Sequence, residues 1–96
     1  MLVGGNYRFR ANSDPRTGLN RFMAWAPPAG LTFQGHWARA DGNGGMFIAE
    51  VESVAALFEG TVAFSDQIEF EIVPVMDIVE SVPISSRVLD WIDSVG

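Results

Sequence analysis

His36 is the one imidazole in the chain, and it stands in the run Leu31-Thr-Phe-Gln-Gly-His-Trp-Ala38, where apolar residues recur at every second position. An imidazole is the side chain best suited to move protons near neutral pH. Simple alternation along four candidate strands puts Asn6, Arg8, Thr32, Gln34, His36, Ile48, Glu50, Glu69 and Glu71 on one sheet face, with Met46 and Val73 as apolar neighbours. Closed off from water, such a face would surround His36 with carboxylates and a guanidinium. A carboxylate could then orient the ring and raise its pKa. His36 is therefore the candidate catalytic residue, and Asn6, Arg8, Gln34, Glu50, Glu69 and Glu71 are candidate ligand contacts. A single β-bulge would invert part of this face.

The same residues have a plainer explanation. A solvent-facing sheet also alternates polar with apolar, and an arginine opposite a glutamate is an ordinary cross-strand pair. Glu50 interrupts an otherwise apolar strand, so it needs a partner, and Arg8 or Arg10 is the expected one. One histidine is too few for a multi-histidine metal site, and no metal or cofactor is expected. The chain holds no nucleophile elbow, no dinucleotide fingerprint and no cysteine.

The elements that position these residues are legible from pattern. Leu2 to Arg10 alternates as a first strand. Asn12-Ser-Asp-Pro15 signals a helix start with Ser13 as the cap, and Leu19, Phe22, Met23 and Ala26 follow at helical spacing. Pro27-Pro28-Ala29-Gly30 ends that helix. Leu31 to Ala38 and Met46 to Val51 form a hairpin across Asp41-Gly-Asn-Gly-Gly45, with a loop of about three to five residues. The second of these runs is apolar almost throughout, as in a central strand covered on both faces. The glycine loop reads as a turn, since neither a phosphate-loop lysine nor calcium ligands fall in register. Ser53 caps a second helix carrying Val54, Leu57, Phe58 and Thr61, whose end Gly60 weakens. Asp66 to Val75 is a fourth strand, which Pro74 ends or confines to an edge. A tail helix spans about residues 84–95, with Ile84, Val88, Trp91, Ile92 and Val95 on its apolar side.

This order predicts one α+β domain over residues 1–96: a ferredoxin-like βαββαβ unit with an antiparallel four-stranded sheet and a C-terminal helix. Sheets of this kind commonly close in pairs as dimeric α/β barrels. The composition agrees with a homodimer. Hydrophobic residues make up 48% of the chain and charged ones only 19%, which leaves apolar surface for a second chain to cover. The tail helix is expected to cover its own core or the dimer seam in preference to docking a foreign protein. A net charge of −6, with six arginines and no lysine, argues against nucleic acid and anionic membranes as partners. No apolar run approaches the ~18 residues of a membrane span. The N-terminal residues do not read as a signal peptide, so a cytoplasmic location is expected.

Gly35-x-Trp37, Asp41-Gly-x-Gly-Gly45, Glu50, Ser65-Asp66, Glu69 and Pro74-Val75 resemble the recurring positions of a small domain-of-unknown-function family. The resemblance covers roughly residues 2–78, and it implies a dimeric α/β-barrel fold without an established activity. Members often carry a histidine directly after the tryptophan. Here that position is Ala38, and the histidine stands two residues earlier at His36.

Three functions are compatible with these features. The one favoured is a homodimer that binds a small, partly apolar molecule or serves as an accessory module. The second is a cofactor-independent oxygenase, isomerase or cyclase, with His36 moving protons and Arg8 or Asn6 stabilising an oxyanion. The third is a protein-interaction module that works through its tail helix.

Overall fold

The computed structural model describes residues 1–96. The elements are β1 (Leu2–Phe9), α1 (Pro15–Ala24), β2 (Leu31–Ala38), β3 (Gly45–Val51), α2 (Val54–Val62), β4 (Ile68–Pro74) and α3 (Ile78–Val95). The strands form one antiparallel sheet in the order β2-β3-β1-β4, the ferredoxin-like α+β arrangement. β4 is an edge strand that ends at Pro74, where a missing N–H does least harm.

One sheet face carries the core. Val3, Leu31, Phe47, Ala49 and Val51 are buried there, with Leu57 of α2 and Phe70 and Ile72 of β4 packed against them. Gly60 lies where α2 crosses β2. A Cβ at that position would stand 2.9 Å from Leu31 Cδ1, so its cost to helix propensity is offset by close approach to the sheet. α2 therefore continues past Gly60 to Val62. Only 12 of 96 residues are buried, so the core is thin for the length of the chain.

Several local expectations change. Asp14, not Ser13, caps α1: its carboxylate accepts from the Arg16 N–H at 3.1 Å and from Thr17 Oγ1 at 2.9 Å. Ser13 instead donates its hydroxyl to the Arg10 carbonyl. Ser53 caps α2 as its sequence position implies, accepting from the Ala56 N–H. The β2–β3 loop runs over residues 39–44, one longer than expected, and Gly44 adopts a φ of 121° in it. β3 is central, but it is covered on one face only. Met46 and Glu50 on the other face are exposed.

The C-terminal helix begins at Ile78, well before residue 84. Asp77 caps it by accepting from the Val79 N–H at 2.8 Å, and the helix runs through Pro83. Pro83 removes only the donor to the Val79 carbonyl, near the helix start, where such a loss is best tolerated. None of the residues of α3 is buried, and no strand or helix packs along it. It projects from the body and stretches the molecule to 56 Å on its long axis. The expectation that this helix covers its own core does not hold.

Candidate functional site

Period-2 alternation fails at one residue, and the site follows from that failure. Phe33 pairs with Ala49 and Gly35 pairs with Ile48, so Gln34 is an extra residue in β2. Beyond this irregularity His36 pairs with Phe47 and turns to the helix side of the sheet, while Trp37 turns to the open side. His36 is thus separated from the polar face on which simple alternation placed it.

On the helix side the imidazole meets aromatic rings from four parts of the fold. It stacks on Phe33 at 5.1 Å with an interplanar angle of 9°. Phe22 of α1 and Phe47 of β3 approach it edge-on. From β1, the Tyr7 hydroxyl lies 2.7 Å from Nε2. Trp25, at the end of α1, extends the cluster by an edge contact with Phe64, which follows α2. Together these side chains line an open cleft of about 400 Å³ between the sheet, α1 and α2. No charged residue lines the cleft, and the lining residues with polar side-chain atoms are His36, Tyr7, Thr61, Trp25 and Trp37.

His36 lies at the mouth of the cleft, with part of its surface in solvent. The surrounding rings still remove enough water to hold its pKa below the ordinary histidine value. The imidazole is therefore neutral at pH 7. The same desolvation pushes the Tyr7 phenol up. No carboxylate hydrogen-bonds His36, so the orienting group is a phenol where a carboxylate was expected. A neutral imidazole beside a neutral phenol can donate and accept hydrogen bonds, and it can take up a proton.

Four other expected site residues do come together, on the open face. Asn6, Arg8, Glu69 and Glu71 line a polar recess of about 390 Å³ with Arg39. Arg10 reaches Glu69 at 3.1 Å. Gln34, the bulge residue, is exposed. Glu50 pairs with the amino group of Met1 at 2.6 Å and with neither Arg8 nor Arg10. The cause is register: β1 runs antiparallel to β3 with Leu2 opposite Glu50, which puts both arginines at the far end of the ladder. Asn6 and Arg8 lie on the opposite face from His36, so they cannot serve an oxyanion formed beside it. No group of three His, Asp or Glu side chains stands close enough to hold a metal ion.

The residues that pattern reading missed are Tyr7, Phe22, Trp25, Phe33 and Phe64, each of which looks like ordinary core by spacing. The usable signal was Tyr7, a lone phenol at an inward position, because a phenol on an apolar face needs a hydrogen-bond partner.

The fold and the cleft define a small ferredoxin-like α+β domain with an aromatic recess under its helices. The chain belongs to the family described as Domain of unknown function (DUF3303), whose model matches residues 5–89 and so reaches well into α3. No curated protein and no solved structure matches the chain. No helix is long and apolar enough to cross a membrane.

Proposed function

We propose that this protein binds a small, flat, largely apolar molecule in the aromatic cleft, and that it does so as a homodimer whose second copy covers the open sheet face. The observation that carries the binding reading is the cleft itself: about 400 Å³, walled by aromatic rings, with the Tyr7–His36 pair at its mouth. Clefts of this size with few, convergent polar groups suit small-molecule ligands. With no cation in the wall and a neutral imidazole, an uncharged ligand is favoured over a carboxylate, whose desolvation nothing would offset. The dimer reading is supported by the uncovered sheet face and the thin core.

The test uses three probes of one shape: naphthalene, 2-naphthol and 2-naphthoate, followed through the His36 ring resonances. The expected order of affinity is 2-naphthol first, naphthalene second and 2-naphthoate last. His36→Phe should remove the advantage of the hydroxyl. Tightest binding of the carboxylate, or no response of the His36 ring to any probe, would overturn the reading.

A second reading, proton-transfer catalysis, is favoured by one observation: His36 is neutral and hydrogen-bonded to Tyr7 at the mouth of a ligand-sized cleft. Here His36 would take a proton from a bound acidic C–H or O–H group, with Tyr7 holding the ring. Deuterium exchange into a bound enolisable ketone such as 2-tetralone, lost in His36→Phe, would separate catalysis from binding alone.

A further inference from the structure

We infer that α3 is the part of the second copy that seats on the open sheet face, each subunit laying its helix across the other's sheet in a two-fold exchange. This rests on the dimer reading above and goes beyond it by naming the two surfaces that meet.

The first surface is the helix. At 100° per residue, Trp91, Ile84, Val95, Val88, Ile92, Ile78, Leu89 and Val82 sweep one half of its circumference, while Asp93, Asp90, Arg87 and Glu80 lie on the other with Val79 and Pro83. Those apolar side chains are between 44% and 77% exposed, more than water-facing helices normally leave uncovered. Ser81 and Ser85 lie inside the apolar half, and their small size allows a flat neighbour to approach closely.

The second surface is the sheet. Trp37 and Met46 form one cross-strand pair, and Gly35, Ile48, Gly4 and Val73 form the next row across all four strands. The result is an apolar band bounded by Arg8, Glu69 and Glu71 at one end and Thr32 and Glu50 at the other. An apolar centre with a polar rim is the usual anatomy of a protein interface. At an 18-residue length, α3 spans ~27 Å, enough to cross the band from edge to edge.

Area and charge point to a second copy. The chain exposes 6930 Å², against about 5,400 Å² for a folded monomer of its mass. The excess of about 1,500 Å² exceeds the ~800 Å² that each partner buries in a standard interface. The radius of gyration is 17.3 Å where a compact chain of this length has about 12–13 Å. Arg8, on the rim of the band, has no ion pair, and neither do Glu80 and Asp93, which flank the apolar half of α3 on either side. Both unsatisfied surfaces belong to one chain. A two-fold arrangement covers each of them twice and leaves neither over, whereas an unrelated partner on α3 would leave the sheet bare.

The chain has no cysteine, so introduced ones report cleanly. Full-length Ser85→Cys and Val73→Cys chains, one of them isotope-labelled, are co-expressed and treated with a short bismaleimide. The expected product is a covalent dimer joining residue 85 of one chain to residue 73 of the other, with little product from either variant alone. Equally strong cross-linking of Ser85→Cys to itself would show helix–helix pairing and overturn the proposal. So would an internal cross-link in the doubly substituted chain, which would place α3 on its own sheet. A dimer by light scattering without any of these products would leave the dimer reading standing and remove the helix from its seat. A monomer at all concentrations would remove both.

Discussion

The Tyr7 hydroxyl meets His36 Nε2 at 2.7 Å although the two residues stand on strands that are not neighbours. β3 lies between them, and the residue that pairs with Tyr7 there is Gly45. A Cβ on Gly45 would stand 2.5 Å from the Tyr7 oxygen and 2.5 Å from the Trp37 carbonyl. The missing side chain is what lets the phenol lie across β3 and reach the imidazole. The glycine that reads as part of a turn is, in the fold, the passage for a hydrogen bond.

Gly45→Ala should therefore break the pair and strain β2 together, and Tyr7→Phe should break the pair alone. Tyr7→Phe is expected to lower stability by about 0.5–1.5 kcal/mol, the range for one hydrogen bond. Gly45→Ala should lower it further, because a backbone carbonyl must also move. Denaturant titrations of both variants, with the His36 ¹⁵N resonances as the local readout, check the order. Equal losses in the two would mean that Gly45 is not the passage.

Burial holds the His36 pKa below 6.5 in the folded chain, whereas the unfolded chain titrates near 6.5. Between those values the unfolded chain binds a proton that the folded one does not. Stability from this group is thus complete above about pH 6.5 and declines as the pH falls through 6.5 toward the folded value. Thermal unfolding measured from pH 7.5 to 5.5 should show that decline, and His36→Phe should flatten it. Asp41 and Asp66, held down by Arg39 and Arg21, lose their contributions as the pH falls from the ordinary carboxylate value toward their lowered folded values, a window well below that of His36. Parallel profiles for the two proteins would show that water reaches the imidazole freely.

The element order and the one-sheet fold were legible because each strand and helix carries its own period, from Val3-x-x-x-Tyr7 to Val54-x-x-Leu57-Phe58. The site was legible only in part. Gln34 has nothing about it that announces a bulge, yet the extra residue moved His36 to one face and Trp37 to the other. Register between strands far apart in sequence was also hidden, and so Glu50 was matched with arginines at the wrong end of β1. For α3, the apolar stripe from Ile84 onward placed the start near residue 84, and the Asp77 cap shows that the helix begins before Pro83.

Two aromatic residues lie over glycines, and the two glycines should respond differently to substitution. A Cβ on Gly5 would stand 2.3 Å from the ring of Phe47, which is buried and held by Phe33 and Tyr7. A Cβ on Gly35 would stand 2.2 Å from the ring of Trp37, which is 54% exposed and free to swing outward. In the dissociated subunit Gly5→Ala is expected to cost about 1–3 kcal/mol as core overpacking, and Gly35→Ala clearly less. Denaturation midpoints of the two variants decide. A larger loss for Gly35→Ala at concentrations where the chain is monomeric would show that Trp37 is pinned within its own subunit.

The last prediction concerns the wall of the cleft. α1 has no buried residue, and it is held over the sheet by the rings of Phe22 and Trp25, against Phe64, His36 and Phe33, and by Arg21. The Arg21 guanidinium grips both carboxylate oxygens of Asp66 and also donates to the Ala63 carbonyl at 3.1 Å, tying α1 to the turn after α2. An element with so few buried contacts opens locally at little cost in free energy. Arg21→Met keeps the aliphatic stem and removes the grip, so amides of α1 should exchange with solvent several-fold faster while those of β1 and β3 remain protected. The affinity for 2-naphthol should fall with it, because Phe22 and Trp25 would be displaced from the cleft for more of the time. Unchanged exchange in α1 would mean that the aromatic contacts alone seat the helix. Faster exchange with unchanged affinity would mean that the ligand rests on the sheet side of the cleft, against Phe33 and Phe47, and does not depend on α1.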